Sequence, residues 1–424
     1  MDSNSTGIKH FTTTTEGIGG IIKRRISDFV VREITEEGKT LEIGAFSDPE
    51  TIKELNLEIP ENADAEKEYL LIEMEKFGLD TNDALRRIAR HLRCSPKRIG
   101  YGGMKDRRAI TVQKISLWKP DVELLKSFRS RYVALKNPEW GKEKIAIGSL
   151  KGNNFEICVR EISLDEEKLR ETAERCFKEM LENGVANYFG EQRFGGIREV
   201  THKVGKKFVE GKIDEAVLLY LTSPAEGEEE EIALARKNLA DSMDFAAAVK
   251  EFPSKFRYER SIIHHLCRYP NDFVGAFKEL PKHLTYLFTH AYQSYLFNEV
   301  INERIEQGIG LKPVKGDVLE EGVATAPLYG FDSVPAKGKP GKIEKEVLER
   351  ENLKLEDFRV KSFPELGCGG ARKKMLLFPE KPEILSTAPD ELNEGKLKLK
   401  VAFTLPKGNY ATTILRELMK NGSM

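Results

Sequence analysis

Residues 100–113, with the sequence GYGGMKDRRAITVQ, join a glycine-rich basic turn directly to an alternating segment. Alternation of apolar and polar residues in ITVQKISL, from residue 110 onward, predicts a β-strand. One carboxylate, Asp106, lies in the basic turn. Glycines permit a left-handed backbone and the close approach of a ligand, so the turn is a candidate binding or catalytic loop. On this pattern alone, an Asp in a turn is more often structural than catalytic.

The turn ends a longer basic segment, residues 85–108, which holds nine Lys and Arg and a single acid, Asp106. Such a segment is suited to following the phosphates of a nucleic acid. A solvated helix face followed by a basic turn is equally consistent with the charge. The neighbouring cations favour the ionised carboxylate of Asp106, which is the form that acts as nucleophile or base.

Strands and helices alternate through about the first 185 residues. Residues 20–34 and 68–75 are rich in β-formers, and a strand is also predicted over 144–161. The segment LDTNDALRRIARHL places its apolar residues on one helical face behind plausible N-caps, and a second amphipathic helix covers about residues 164–182. This order predicts an α+β or α/β region.

The pattern changes at about residue 196. Helical periodicity dominates to about residue 375, and the last ~45 residues return to a strand, LKLKVAFTL, and a short helix, TTILRELMK. We therefore expect a second or inserted domain in the middle of the chain, with the C-terminus completing the first domain.

Composition excludes several classes of protein. The 424 residues suggest two or three domains, and the net charge of -1 conceals 68 basic and 69 acidic side chains, so any basic surface must be local. Five scattered cysteines without a CxxC pair argue against a disulfide framework and a zinc ribbon. The polar N-terminus and the absence of a run of ~20 apolar residues predict a cytoplasmic protein without a membrane span.

Six blocks, in this order, give the chain a resemblance to the TruD-type pseudouridine synthases. They are GIIKRRISDFVVRE (20–33), GYGGMKDRRAITVQ (100–113), KGNNF (151–155), NYFGEQRFG (187–195), HAYQSYLFN (290–298) and FTLPKGNYATTILRE (403–417). The second block contains the family signature G-x-K-D-x-x-A-x-T-x-Q. The resemblance covers most of the chain.

The resemblance implies an α+β fold, with a catalytic core around a mixed or antiparallel sheet and a helix-rich insertion domain specific to the family. We expect residues 1–195 and 373–424 to form the core, and residues 196–372 to form the insertion. A monomer is the default expectation.

The resemblance also assigns roles to residues. Asp106 matches the catalytic aspartate, and Lys23 matches the basic residue that pairs with it. Phe155 lies where other pseudouridine synthases stack a tyrosine on the target base, and Asn153 would contact the aspartate or the nucleotide. Without the resemblance, Lys23 is an ordinary surface lysine and Phe155 a core residue. Three further candidate contacts to the RNA are Lys105, Arg107 and Arg193.

The implied activity is isomerisation of uridine to pseudouridine in tRNA, most typically at uridine 13. The reaction moves uracil from an N1–C1′ bond to a C5–C1′ bond without redox change, so neither cofactor nor metal is expected. We keep three alternatives: the same chemistry on another RNA (rRNA, snRNA or mRNA), a non-catalytic RNA-binding or chaperone protein, and a hydrolase that releases free base. Both Asp106 and Lys23 are present, which favours an enzyme over the chaperone.

Overall fold

The computed structural model describes residues 6–47, 57–196, 198–225 and 227–421. The first five residues of the polar N-terminus lie outside them. Contacts between Cα atoms divide the chain into two compact units. We call Thr12–Val185 with Phe378–Met424 the sheet unit, and Met1–Phe11 with Ala186–Leu377 the helical unit. None of the described helices combines the length and apolar character that a membrane span requires.

The strands are concentrated at the two ends of the chain. In chain order they are β1 Ile21–Ile22, β2 Phe29–Ile34, β3 Tyr69–Phe77, β4 Ile99–Tyr101, β5 Ile110–Trp118, β6 Val133–Gly141, β7 Gly152–Ile162, β8 Val185–Ala186, β9 Leu319–Glu320, β10 Val323–Leu328, β11 Ala371–Lys374, β12 Leu376–Leu377, β13 Glu380–Pro389 and β14 Leu397–Pro406.

The helices are concentrated in the middle of the chain. They are α1 Thr81–His91, α2 Val122–Lys126, α3 Glu166–Asn183, α4 Thr201–Val209, α5 Ile213–Thr222, α6 Glu230–Ser242, α7 Phe245–Glu251, α8 Arg257–Arg268, α9 Phe273–Lys278, α10 Lys282–Glu306, α11 Gly338–Arg350 and α12 Ala411–Met419.

A mixed sheet organises the sheet unit. Its strand order is β13-β14-β7-β2-β5-β3-β6, with β1 added to β7 and β4 to β5. The neighbours pair antiparallel, except that β2 and β5 pair parallel, with Val30 opposite Ile110. Parallel neighbours begin at the same edge of a sheet, so the loops that lead into β2 and β5 lie side by side. The predicted α+β fold with a mixed sheet is confirmed.

Helices α1, α3 and α12 of the sheet unit form where the sequence predicts them, whereas the short helix α2 was not predicted. The carboxylate of Asp80 caps α1 by accepting from the Asn82 amide at 2.8 Å, and the apolar face of the helix packs into a cluster with Ile72 and Ile115. Asp165 caps α3, which ends at Gly184 with φ of 74°. The C-terminal strand and helix also form as predicted, as β14 and α12.

The strand predicted over 144–161 begins only at Gly152, so its first part is wrong. Residues 142–151 instead form a loop in which Gly148 adopts a φ of 90° and donates its amide to the Gly102 carbonyl at 2.7 Å. This hydrogen bond ties the loop to the glycine-rich turn. Such a contact between distant residues cannot be predicted from the local alternation of apolar residues. Strands β6 and β13 were not predicted, because they lie at the edges of the sheet, where polar and charged residues are frequent.

The helical unit contains α4 to α11 and the small antiparallel sheet β11-β10-β9. One apolar cluster joins α4, α9 and α10 through Phe208, Phe277 and Phe288. A second cluster packs α10 against β10 and α11 through Phe297, Ala324 and Val347. Helices α4 to α11 lie within residues 196–375, where the sequence predicts helical character. The helix-rich insertion domain and its boundaries 195/196 and 372/373 stay predictions.

Candidate active site

An ion pair joins the two loops that lead into the parallel strands. The ammonium of Lys23, in the loop before β2, lies 2.8 Å from Oδ1 of Asp106, in the loop before β5. The side chain of Lys23 is 17% exposed and that of Asp106 is 34% exposed. The carboxylate is therefore held by a charge-assisted hydrogen bond yet remains open to a ligand.

Hydrogen bonds to the main chain fix the loop that carries Asp106. The hydroxyl of Thr81, at the start of α1, accepts from the Lys105 amide at 3.0 Å. The side-chain amide of Gln113, in β5, donates to the Gly103 carbonyl at 3.0 Å. Both anchors are fully buried. The loop is thus tied to the helix and the strand on either side of it, which predefines where the carboxylate points.

A third lysine, Lys76, contacts the main chain of Asp106. The sequence analysis did not predict this contact. Lys76 is the second-last residue of strand β3 and has 0% exposure, and its ammonium donates to the main-chain carbonyl of Asp106 at 2.5 Å. Burial lowers the pKa of Lys76 to about 8, and the charge of Asp106 partly opposes that fall. The sequence signal that could have found Lys76 is its position beside apolar residues in EYLLIEMEKF. Both faces of that strand are covered, so a lysine within it is buried and needs a partner.

Lys105 points into the protein. Its ammonium lies 2.6 Å from Oε2 of Glu33, and both side chains are at most 4% exposed. The second oxygen of Glu33 accepts from the Lys114 amide at 3.0 Å. This buried ion pair links β2, β5 and the Asp106 loop, so Lys105 holds the loop in place. The contact between Lys105 and a substrate stays a prediction.

An aromatic row extends from the ion pair along the sheet. The Lys23 ammonium lies 4.1 Å from the centre of the Phe29 ring, and that ring meets Phe155 edge-on at 6.2 Å. Phe155 packs on its other side against Phe403 at 5.7 Å and is only 5% exposed. In this conformation Phe155 is mainly a core residue that reaches the edge of the site. Its stacking on a base stays a prediction.

Asn153 lies on the same face of β7 as Phe155, two residues away, and opposite Glu33 in β2. Its side-chain oxygen is buried and has no hydrogen-bond partner among the described residues. A buried carbonyl oxygen without a donor is costly, which is consistent with a donor supplied by a ligand.

The remaining predicted contacts fall in different places. Arg107 is exposed next to Asp106 in the sheet unit. Arg193 belongs to the helical unit, where its guanidinium donates to the Ser294 hydroxyl at 3.0 Å and lies 5.8 Å from the Phe189 ring. Roles for Arg107 and Arg193 in substrate binding stay predictions.

Side chains of the basic segment 85–108 have different partners within the sheet unit. Arg98 donates to the Trp118 carbonyl at the end of β5 at 2.6 Å, and Arg86 pairs with Asp83 within α1 at 2.9 Å. Within the described ranges no three His, Cys, Asp or Glu side chains are arranged to hold a metal ion. The expectation that the reaction needs no cofactor stays a prediction.

An accessible carboxylate, oriented by an ammonium and set beside an aromatic row, can act as nucleophile or general base on a ligand that stacks there.

Comparison with known proteins gives one consistent family. A family model described as tRNA pseudouridine synthase D (TruD) matches residues 5–324 and 319–418. The Methanosarcina acetivorans protein named "Probable tRNA pseudouridine synthase D" is 38% identical over 98% of this chain and 96% of its own length. A Methanopyrus kandleri protein of the same name is 40% identical over 83% of this chain and 85% of its own length. A crystal structure of the Methanosarcina mazei relative superposes with a TM-score of 0.79 at 36% identity, covering 98% of this chain and 97% of that one.

Proposed function

Since the chain belongs to the tRNA pseudouridine synthase D family, we propose that it converts uridine 13 of tRNA to pseudouridine, with Asp106 as the catalytic carboxylate. The observation that carries this proposal is the ion pair between Lys23 and the accessible carboxylate of Asp106, at the point where two parallel strands begin.

The isomerisation needs little from the protein beyond this carboxylate. The N1–C1′ bond breaks, the uracil turns, C5 bonds to C1′, and the proton on C5 is removed while N1 gains one, so atoms and charge balance. Asp106 can serve either as a nucleophile on the sugar or base, or as a base on the ribose. Lys23 orients the carboxylate for either route.

Two further residues are proposed to contact the uracil. The unpaired oxygen of Asn153 is suited to accept from the imide N–H of the base, and the edge of Phe155 is suited to contact a uracil that has left its stack. Stacking of this kind contributes about 1–3 kcal/mol per base. A closed pocket is also required, because the detached uracil must not escape before it is re-attached.

The decisive experiment uses unmodified tRNA transcripts that contain uridine 13, purified protein and no added cofactor. Pseudouridine is mapped by carbodiimide labelling and primer extension, with Asp106→Asn as the matched control. We expect a stop at position 13 with the wild type and none with the variant, while the variant binds tRNA within about tenfold of wild type.

Other outcomes separate the alternatives. A stop at another position would keep the chemistry and change the target. Free uracil in the products would identify a hydrolase. Tight RNA binding without any stop on cellular RNA would favour the chaperone, and near-normal turnover by Asp106→Asn would refute the assignment of Asp106.

A further inference from the structure

A groove of about 660 Å³ opens beside the ion pair, entirely within the sheet unit. Its main lining residues are Arg24, Arg25, Ile26, Phe77, Arg107 and Arg108. Four of these six side chains carry a permanent positive charge. We call it the arginine groove.

The arginine groove is continuous with the candidate active site along the chain. Arg24 and Arg25 directly follow Lys23, and Arg107 and Arg108 directly follow Asp106. The Arg108 guanidinium donates to the Arg24 carbonyl at 3.2 Å. This hydrogen bond joins the segment after Asp106 to the segment after Lys23. If the reacting group of a ligand lies on Asp106, the adjacent part of that ligand would therefore lie in this groove.

The groove has more positive charge than the surrounding carboxylates neutralise. Arg24 pairs with Glu161 at 2.6 Å, and Arg25 with Glu391 at 3.0 Å. Glu391 is also shared with a second arginine and a lysine of the same unit. For Arg107, the described residues provide neither a hydrogen bond nor an ion pair. Excess guanidinium charge in a concave site attracts an anion, and the planar fork of arginine fits phosphate.

The floor of the groove is apolar. Ile26 and Phe77 form it, and the Phe77 ring packs on Phe46 at 5.7 Å. Next to them Gly78 adopts a φ of 62°, and a Cβ atom there would lie 2.7 Å from Cδ1 of Ile26. Glycine at this position leaves room for the Ile26 side chain. An apolar floor with a cationic rim suits a nucleoside that is joined to a phosphate.

We propose that the arginine groove binds the RNA nucleotide next to the target uridine, with Arg107 and Arg108 on its phosphodiester and its nucleoside against Ile26 and Phe77. The inference rests on the proposed function, because it places the reacting uridine at Asp106. It adds a subsite that fixes the strand on one side of that uridine while the uracil turns.

The first test measures binding of tRNA to proteins that all carry Asp106→Asn, at several salt concentrations. The double variant Arg107→Ala/Arg108→Ala is expected to bind about tenfold more weakly at physiological salt, with the slope of log affinity against log salt reduced by about 1–2. Arg175→Ala, which removes an exposed arginine from α3, is the matched control and should leave both quantities unchanged. Arg107→Ala alone serves as a second variant, because that side chain has no partner to lose in the described structure.

The second test identifies the phosphate. A neutral methylphosphonate is placed, one at a time, at the two linkages that flank the modified uridine. At one of the two linkages, the methylphosphonate should weaken tRNA binding about tenfold for the protein that keeps Arg107 and Arg108. The double variant should bind the same RNA unchanged, because it has already lost the contact to that phosphate. Equal losses in both proteins at both linkages would overturn the proposal, as would unchanged binding by the double variant. Arginine-dependent binding of a polyglutamate peptide, with RNA binding unchanged, would also overturn it.

These outcomes are distinct from failure of the proposed function. The catalytic assay on protein with an intact Asp106 reports whether pseudouridine forms. The binding series reports only whether the groove contacts a phosphate.

Discussion

Replacing Lys76 by methionine should separate the activity of this protein from its stability. Lys76 is fully buried near the end of β3, and its ammonium donates to the main-chain carbonyl of Asp106. Methionine has a similar length and fills the same space without charge. The substitution removes the donor to the main chain of the Asp106 loop and leaves the contact between Lys23 and the carboxylate in place.

The expected change in stability follows from the pKa. Burial lowers the pKa of Lys76 from 10.5 to about 8. At about 1.4 kcal/mol per pKa unit, keeping this lysine charged in the folded protein costs about 3 kcal/mol at neutral pH. Lys76→Met removes that cost but leaves the Asp106 carbonyl without its donor, which costs about 1–3 kcal/mol. The two effects nearly cancel, so we expect a free energy of unfolding within about 2 kcal/mol of wild type at pH 7.

The lowered pKa of Lys76 also determines how the stability of the wild type changes with pH. Between about pH 8 and pH 10.5 the folded protein has released the Lys76 proton while the unfolded chain retains it. The unfolded state then binds more protons, so the wild type gains stability relative to Lys76→Met as the pH rises through this interval. The gain should reach about 3 kcal/mol at its upper end.

Turnover should fall in spite of the retained stability. A hydrogen bond from a charged donor contributes about 1.5–3 kcal/mol, which corresponds to about 10- to 100-fold in rate if the contact is needed to position Asp106. Single-turnover pseudouridine formation at pH 7.5 measures the rate, and urea unfolding between pH 7 and 10.5 measures the stability. Lys178→Met, on the exposed face of α3, is the control. Stability curves that stay parallel over this interval would refute a buried charged lysine, and unchanged turnover would refute its positioning role.

Substitutions at three further positions test the site and its support. Lys23→Met should lower the single-turnover rate at least about 100-fold with tRNA affinity within about threefold, because it removes the partner of Asp106; equal turnover would contradict this. Phe155→Ala should cost about 3–5 kcal/mol of stability because the ring is 5% exposed, whereas Phe155→Leu should cost under about 1.5 kcal/mol; a Leu variant with normal turnover would argue against stacking. Asp390→Asn should cost about 1.5–3 kcal/mol in urea at pH 7, because buried Arg160 loses one charged partner while it keeps the carboxylate of Asp28. Although burial raises the pKa of Asp390, hydrogen bonds from Asn393, from two backbone amides and from Arg160 lower it overall, so the wild type should lose this stability as the pH falls below about 4 and the variant should not.

The sequence predicts the local elements of the site well. Helix α1 and strand β5 follow from periodicity and capping residues alone, and they enclose the Asp106 loop. The sequence leaves Asp80, Thr81 and Asn82 as candidate N-caps, of which Asp80 forms the cap. The basic residues around the loop were harder to place, because charge in sequence does not say which way a side chain points. Lys105 turns inward to Glu33, and Arg98 caps the end of a strand.

The meeting of Lys23 and Asp106 could be predicted from the family resemblance but not from local pattern. The two residues are 83 positions apart and meet because β2 and β5 pair in parallel. Parallel pairing is a long-range property that periodicity of either strand does not reveal. For the same reason Lys76 was missed, since it reaches Asp106 from a third strand.

Two lysines at this site occupy positions that are unfavourable in themselves. Lys76 is buried with no carboxylate of the described residues in direct contact. Lys23 adopts a φ of 59°, a left-handed conformation that costs a non-glycine residue about 1 kcal/mol or more. A glycine would relieve the backbone of Lys23, and a methionine would relieve the burial of Lys76. Both lysines instead direct an ammonium to Asp106, one to its carboxylate and the other to its carbonyl. Because unfavourable choices that converge on one residue are expected at functional sites, this convergence favours Asp106 as the centre of the chemistry on grounds independent of any resemblance.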